Sequence, residues 1–353
     1  MDKNDPAIEW LLQSHDPSIR YFTLTELLDA SPRSREVVVA RKEIPNGTRV
    51  RALLTEPRAS ERKTNREFAT HPGSFGDHPY KKWNGAHWRL VSLVELGITG
   101  KPGRSPKTFQ VSRALSAADQ VLTWLTSEGH RASIKKIDGR TRRCCSQEGN
   151  ALAVCSRLGM TDDPRVQYLA QSLVEWQWDD GGWNCDKNPS AHHSSFYESL
   201  APLWGLIEYH LVTQDRKVLA AINRAAELFL RHRLFRSEKT GEVIDPNWLK
   251  LHYPLYYHYD ILQALVILSR AGKVRDARCA EALDLIESKR GKDGCWHAEA
   301  YYWKPIGRTN SLRGKSFKSV GSNVDVVDWG RKGANEMITL NALRVLKAAG
   351  RIK

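Results

Sequence analysis

Five short stretches of this chain gather side chains able to do acid–base or metal chemistry. They carry His87 and Trp88; Cys144, Cys145, Glu148 and Asn150; His192, His193, Tyr197 and Glu198; Tyr257, His258 and Asp260; and Asn335 and Glu336. Histidine beside a carboxylate moves protons near neutral pH, which makes His87, Glu148, His192, His193, Glu198, His258, Asp260 and Glu336 the catalytic candidates. Trp88, Asn150, Tyr197, Tyr257 and Asn335 are the candidates for holding a substrate. Thiolate and imidazole are the preferred zinc donors, and a catalytic zinc needs three of them plus water. Cys144, Cys145 and His192 supply those donor types, so a zinc cofactor is compatible with the chain, and acid–base chemistry without metal stands beside it.

Each stretch runs straight into an apolar segment of helical length: NGAHWRLVSLVELG from Asn84, QEGNALAVCSRLG from Gln147, SSFYESLAPLWGL from Ser194, HYDILQALVILSRAG from His258 and GANEMITLNALRVLKAAG from Gly333. Taking His87, Gly149, Ser195, Tyr259 and Asn335 as anchors, the steps are 62, 46, 64 and 76 residues, room for two helices and a loop each. These segments are apolar nearly all round, as enclosed helices are. Between them lie amphipathic ones from Gln110, Pro164, Arg216 and Asp276, whose charged face belongs in water. Gly97, Gly159, Gly272 and Gly350 stand where left-handed C-caps are expected. If all enclosed helices run the same way, their N-termini meet at one mouth of a central cavity, bringing the five stretches together beside the positive ends of helix dipoles.

Two of the connecting loops contain a recurring element, DDGGW at Asp179–Trp183 after Gln177 and Trp178, and KDGCW at Lys292–Trp296. These resemble the Gln-Trp repeat of the terpenoid cyclases. With the helix alternation, residues from about 80 to 353 resemble the α/α-toroid superfamily of squalene and hopene cyclases and protein prenyltransferase β-subunits, including a bacterial squalene-cyclase-like or prenyltransferase-like group. The resemblance implies an all-α fold, an α/α toroid of helical hairpins, and an enzyme acting on an isoprenoid-like or anionic small molecule in the central cavity. The D-x-D-D acid segment of those cyclases is absent, and the Asp, Cys and His spacing of the prenyltransferase zinc site is not reproduced. A single ring is closer to the prenyltransferase subunit. Two readings from other classes stay open: a carbohydrate lyase or hydrolase on a toroid, and a non-enzymatic basic scaffold for polyanions or a protein partner.

The 353 residues are too many for a marginal mini-domain, and the sequence is divided into a helical cap at 1–55 and a toroid at 56–353. Within the cap, His15 to Asp29 followed by SREVVVARKEI resembles a HEAT-type turn. Fifty-four basic against 40 acidic residues leave a net charge of +14. The basic residues are scattered and no nucleic-acid motif accompanies them, so solvated surface charge is favoured over nucleic-acid binding. Residues 304–332 read as a long basic loop. No stretch approaches the roughly 18 apolar residues of a membrane span, and the start MDKNDPAIEW mixes charges, so a cytoplasmic protein is expected. Six cysteines without a C-x-x-C pair agree with a reducing compartment.

Overall fold

Helices begin where a short polar side chain precedes an apolar run. In the computed structural model, which describes residues 1–55, 70–303, 325–330 and 333–352, Asp5, Asp16, Asp163, Asp215, Asp260 and Asn335 each accept a hydrogen bond from a free N–H of the first turn that follows. Pro6, Pro17 and Pro164 stand at helix starts, where no N–H is needed. Gly97, Gly159, Gly272 and Gly350 end helices with φ between 70° and 90°, the left-handed region expected of them.

In chain order the helices are α1 (Pro6–Leu12), α2 (Pro17–Phe22) continued by a π-type turn (Thr23–Leu27), α3 (Arg35–Glu43), α4 (Thr48–Leu54), α5 (Ala86–Glu95), α6 (Phe109–Leu125) and α7 (Glu128–Ala132). After a β-hairpin come α8 (Ser146–Arg157), α9 (Pro164–Trp176), α10 (Phe196–Thr213), α11 (Arg216–Arg231), α12 (Ile261–Arg270), α13 (Ala280–Ser288) and α14 (Glu336–Ala348). The hairpin pairs β1 (Lys135–Ile137) with β2 (Arg140–Arg142) antiparallel, Lys136 opposite Thr141. The fold is mostly helical. No helix among the described residues is long and apolar enough to cross a membrane.

Burial separates two kinds of helix, as the hydrophobic periodicity predicts. On α5 every residue from Ala86 to Val94 is buried, and on α12 only Gln263, Ser269 and Arg270 are not. On α11, by contrast, Val218, Ala221, Ile222, Ala225 and Phe229 face inward while Lys217, Arg224 and Glu227 face water. The enclosed helices pack in succession, α5 on α8, α8 on α10, α10 on α12 and α12 on α14, and α14 packs on α2 and its π-type turn. The half-exposed ones bridge them: α6 touches α5 and α8, α9 touches α8 and α10, α13 touches α12 and α14, and α1 touches α14 and α2. Residues from α1, α2 and α4 belong to the same apolar core as the rest of the chain. The closest approach joins α8 to α10, where a Cβ on Gly149 would lie 2.3 Å from Pro202 N and one on Gly205 would lie 2.4 Å from Gly149 O.

The two Asp-Gly-x-Trp elements are built alike. Trp183 Nε1 donates to Leu173 O (2.9 Å) and Trp296 Nε1 to Ile286 O (2.7 Å), each ten residues back. Their backbone N–H groups donate to Ser199 Oγ and Thr339 Oγ1, both at 3.0 Å. Their carbonyls accept from the N-cap residues of the next enclosed helix, Ser195 N (2.8 Å) and Asn335 N (2.9 Å). Gln177 Nε2 and Arg290 Nε each reach the carbonyl four residues on, Gly181 O and Gly294 O, at 2.7 Å. The first element then packs Gly181 against Arg224 of α11, and the second packs Gly294 against Pro6 and Ala7 of α1. Arg290 also pairs with Asp5, the N-cap of α1, at 2.6 Å.

Candidate functional site

The strand β2 leads into Arg143, Cys144 and Cys145 before α8, and this segment is stitched to the one that follows DDGGW. Arg142 forms a parallel bridge with Asn184, and Arg143 N–H donates to Asn184 O at 3.2 Å. Asn184 Nδ2 donates to His193 O at 2.8 Å, tying in the start of α10. Three remote segments thus deliver Cys144 Sγ, Cys185 Sγ and a Glu198 carboxylate oxygen within 4.8 Å of one another. Cys185 Sγ lies 3.7 Å from Glu198 Oε1, and Glu198 Oε2 accepts the N–H of Ser146 at 3.0 Å. The hydrogen bond between the two sulfurs holds the Cys144 thiol protonated and eases deprotonation of Cys185. Burial pushes the Glu198 carboxyl up, and burial with the nearby Glu198 charge pushes the Tyr80 phenol up.

The expected zinc donors are redistributed by this geometry. Cys144 belongs to the cluster, but Cys145 is buried beneath it, its thiol pushed up by burial. His192 is exposed on the loop ahead of α10, where its Nδ1 contacts Ser190 O at 2.7 Å. The loop carries it away from the thiols. The second and third donors, Cys185 and Glu198, come from the end of the Trp183 element and the first turn of α10. Neighbouring Glu148 is fully enclosed and accepts from Arg143 Nε at 2.7 Å, with His130 Nε2 at 3.2 Å. Burial opposes its charge, yet His130 and Arg143 hold it below the usual carboxylate value. Glu148 is an ion-paired wall residue.

Beyond this cluster lies an aromatic wall. Trp83 stacks on Tyr256 with centroids 4.0 Å apart, and His258 is sandwiched between Tyr257 (4.3 Å) and Tyr302 (3.6 Å). Burial pushes both His87 and His258 down to about 3, so both rings are neutral. His87 Nε2 accepts from Asn150 Nδ2 at 3.4 Å, and the ring meets Trp88 edge-on. Asp260 caps α12 through Gln263 N (2.8 Å) and turns its other oxygen to His252, 3.0 Å from Nδ1. Sequence reasoning missed His252, which is buried and lies eight residues before Asp260 in an irregular segment. Asn150, Tyr197, Tyr257 and His258 meet around a narrow cavity of about 20 Å³, together with Trp204 and Glu95.

A second shared lining lies toward the C-terminal ends of the enclosed helices. A cavity of about 580 Å³ is walled by Phe22, Glu95, Arg157, Leu211, Val266, Arg270, Met337, Arg344 and neighbours. Glu208 Oε1 accepts from Arg270 Nη1 (2.9 Å), Arg157 Nη1 (3.4 Å) and Trp204 Nε1 (2.9 Å). Arg344 pairs with Glu26 at 2.6 Å. Glu95 accepts from the Tyr253 hydroxyl at 2.9 Å and lines both cavities, and burial pushes its carboxyl up. None of these charged residues was singled out from the sequence. The available signal was Glu95 itself, an acid in the last turn of its helix, where the dipole disfavours negative charge.

The remaining candidates are scattered. Asn335 caps α14 and donates from Nδ2 to Trp329 O at 2.8 Å. Glu336 bonds to Ser14 Oγ (2.5 Å) and pairs with Arg49 (2.6 Å), fastening α14 to the N-terminal helices. His193 is exposed and lines a surface groove with Tyr197 and Trp248. Of the basic loop at 304–332, all but 325–330 lies outside the described residues. No family model, curated protein or solved structure matches this chain.

Proposed function

We propose that this chain is an α/α toroid and an enzyme that takes an isoprenoid-like molecule with an anionic head into the centre of the ring. The enclosed helices α2, α5, α8, α10, α12 and α14 would form the inner circle. Support comes from the cavity to which all six contribute wall residues, and from α1, which stands to the second Asp-Gly-x-Trp element as α11 stands to the first. On this reading residues 1–55 complete the circle between α14 and α5.

The observation that carries the ligand class is the composition of the 580 Å³ cavity. Arg157, Arg270 and Arg344 arrive from three helices and share the lining with Glu26, Asp29, Glu95 and Glu208, so an anionic head would compete with Glu208 for Arg157 and Arg270, while Phe22, Leu211, Val266, Met337 and Val345 supply apolar wall. Guanidinium groups suit phosphate and carboxylate oxygens, and the apolar residues suit a hydrocarbon tail. Glu95 stands between this cavity and the aromatic wall. Burial pushes its carboxyl up, which favours the proton-bearing form, and on this reading Glu95 is the general acid toward a bound alkene or leaving group.

Calorimetry and thermal unfolding with farnesyl diphosphate, farnesol and inorganic pyrophosphate test this. Farnesyl diphosphate at 100 times its Kd is expected to stabilise the chain by about 2.7 kcal/mol, more than either fragment does, and Arg270→Gln should weaken its binding at least tenfold. Absence of binding by all three compounds would overturn the ligand class.

A further inference from the structure

We propose that Cys144, Cys185 and Glu198 form a zinc site with one coordination position left open. This goes beyond the ligand reading and does not depend on it. The donor set is chemically apt: two sulfurs and one carboxylate are ordinary zinc ligands, and three protein ligands with an open fourth position mark catalytic rather than structural zinc. The spacing is apt as well. Tetrahedral zinc with usual Zn–S and Zn–O lengths separates sulfur and oxygen donors by about 3.5 Å, and Cys185 Sγ and Glu198 Oε1 are 3.7 Å apart. Ser146 N–H holds the other carboxylate oxygen at 3.0 Å, orienting Glu198 as partners of metal ligands do.

The second Asp-Gly-x-Trp element supplies an internal control. It has the same tryptophan, the same hydroxyl beneath it and the same N-cap contact. Two residues after its tryptophan stands Ala298 where the first element has Cys185. Three residues after its N-cap stands Ile338 where the first has Glu198. The scaffold therefore forms without the donors, so their convergence in the first element is not a requirement of the fold. Binding zinc would release a proton from each thiol to solvent, and the open position would hold water or a thiol or oxygen atom of the substrate, polarised by the metal.

The test uses full-length protein purified without a metal-affinity tag. Elemental analysis is expected to find about one zinc per chain, and replacement by cobalt(II) should give a near-ultraviolet thiolate-to-cobalt charge-transfer band. Cys144→Ser and Cys185→Ser should each lower zinc affinity at least about 100-fold, Glu198→Gln about 10–100-fold, and Cys145→Ser should leave it unchanged. Should the variants fail to fold, iodoacetamide labelling of the wild-type chain decides: zinc should shield Cys144 and Cys185. Failure of zinc to bind or shield, or a Cys144–Cys185 disulfide as the stable form, would overturn the proposal. A chain that binds zinc but no diphosphate would overturn only the ligand reading, and the converse only this one.

Discussion

The two Asp-Gly-x-Trp elements share their hydrogen bonds almost atom for atom, and they differ in what surrounds them. The first opens directly onto α10 and places Cys185 and Glu198 beside Cys144. The second is followed by a longer excursion before α14, and its equivalent positions hold Ala298 and Ile338. The first packs on α11, the second helix to follow it in the chain, whereas the second packs on α1 from the other end of the chain. The shared part is the joint that fixes an enclosed helix to its half-exposed partner. The differing part is what each joint adjoins, a cluster of two thiols and a carboxylate at the first and the N-terminal helix α1 at the second.

If the two joints are equivalent, Trp183→Ala and Trp296→Ala should each cost about 3–5 kcal/mol in chemical denaturation. A much smaller loss at either would break the equivalence. The glycines should sharpen the difference. A Cβ on Gly181 would lie 2.3 Å from Arg224 O at φ 101°, whereas one on Gly294 meets Pro6 Cβ at 3.3 Å and φ 78°. Gly181→Ala is therefore expected to cost about 3 kcal/mol and Gly294→Ala about 1 kcal/mol, and equal losses would mean that α1 lies as close to its joint as α11 does.

A pH-dependent effect concerns the neutral histidines of the aromatic wall. His87 and His258 titrate at the ordinary 6.5 when unfolded and at about 3 when folded. Between those values the unfolded chain binds more protons, so stability is complete above pH 6.5 and is lost as pH falls toward 3. Each contributes a slope of about 1.4 kcal/mol per pH unit. Phenylalanine at 258 keeps a ring between Tyr257 and Tyr302 and removes one titrating group. Denaturation of His258→Phe across this window should show that slope reduced by one histidine's share, and an unchanged slope would show that His258 is not neutral in the fold.

Helix positions were legible because caps, left-handed glycines and apolar periodicity are local signals. So was the kinship of the two joints, since Trp183 and Trp296 sit in short motifs of fixed spacing. The site was legible only in part. Cys144 and Glu198 were found as members of polar clusters at helix starts, but Cys185 lies in an irregular segment with no periodicity to indicate where its sulfur points. His192 has the right chemistry for a metal ligand and the wrong exposure, which only the path of the loop decides. Arg157 and Arg270 each look like a cation complementing a helix C-terminus, and Arg344 like one more charge on a helix. Their convergence is a tertiary fact that no single segment encodes.

The crossing of α8 and α10 at Gly149 and Gly205 has a consequence for the thiol and carboxylate donors. Side chains that separate two helices can change rotamer and let the spacing breathe, but here main-chain atoms of one helix rest on those of the other. Cys144, just ahead of α8, and Glu198, in the first turn of α10, are carried on that contact. If the site binds a metal, that backbone contact would hold the segments carrying these donors at a fixed spacing. A bound ion would then owe little of its affinity to ordering the protein around it, which is the meaning of preorganisation at the level of individual atoms.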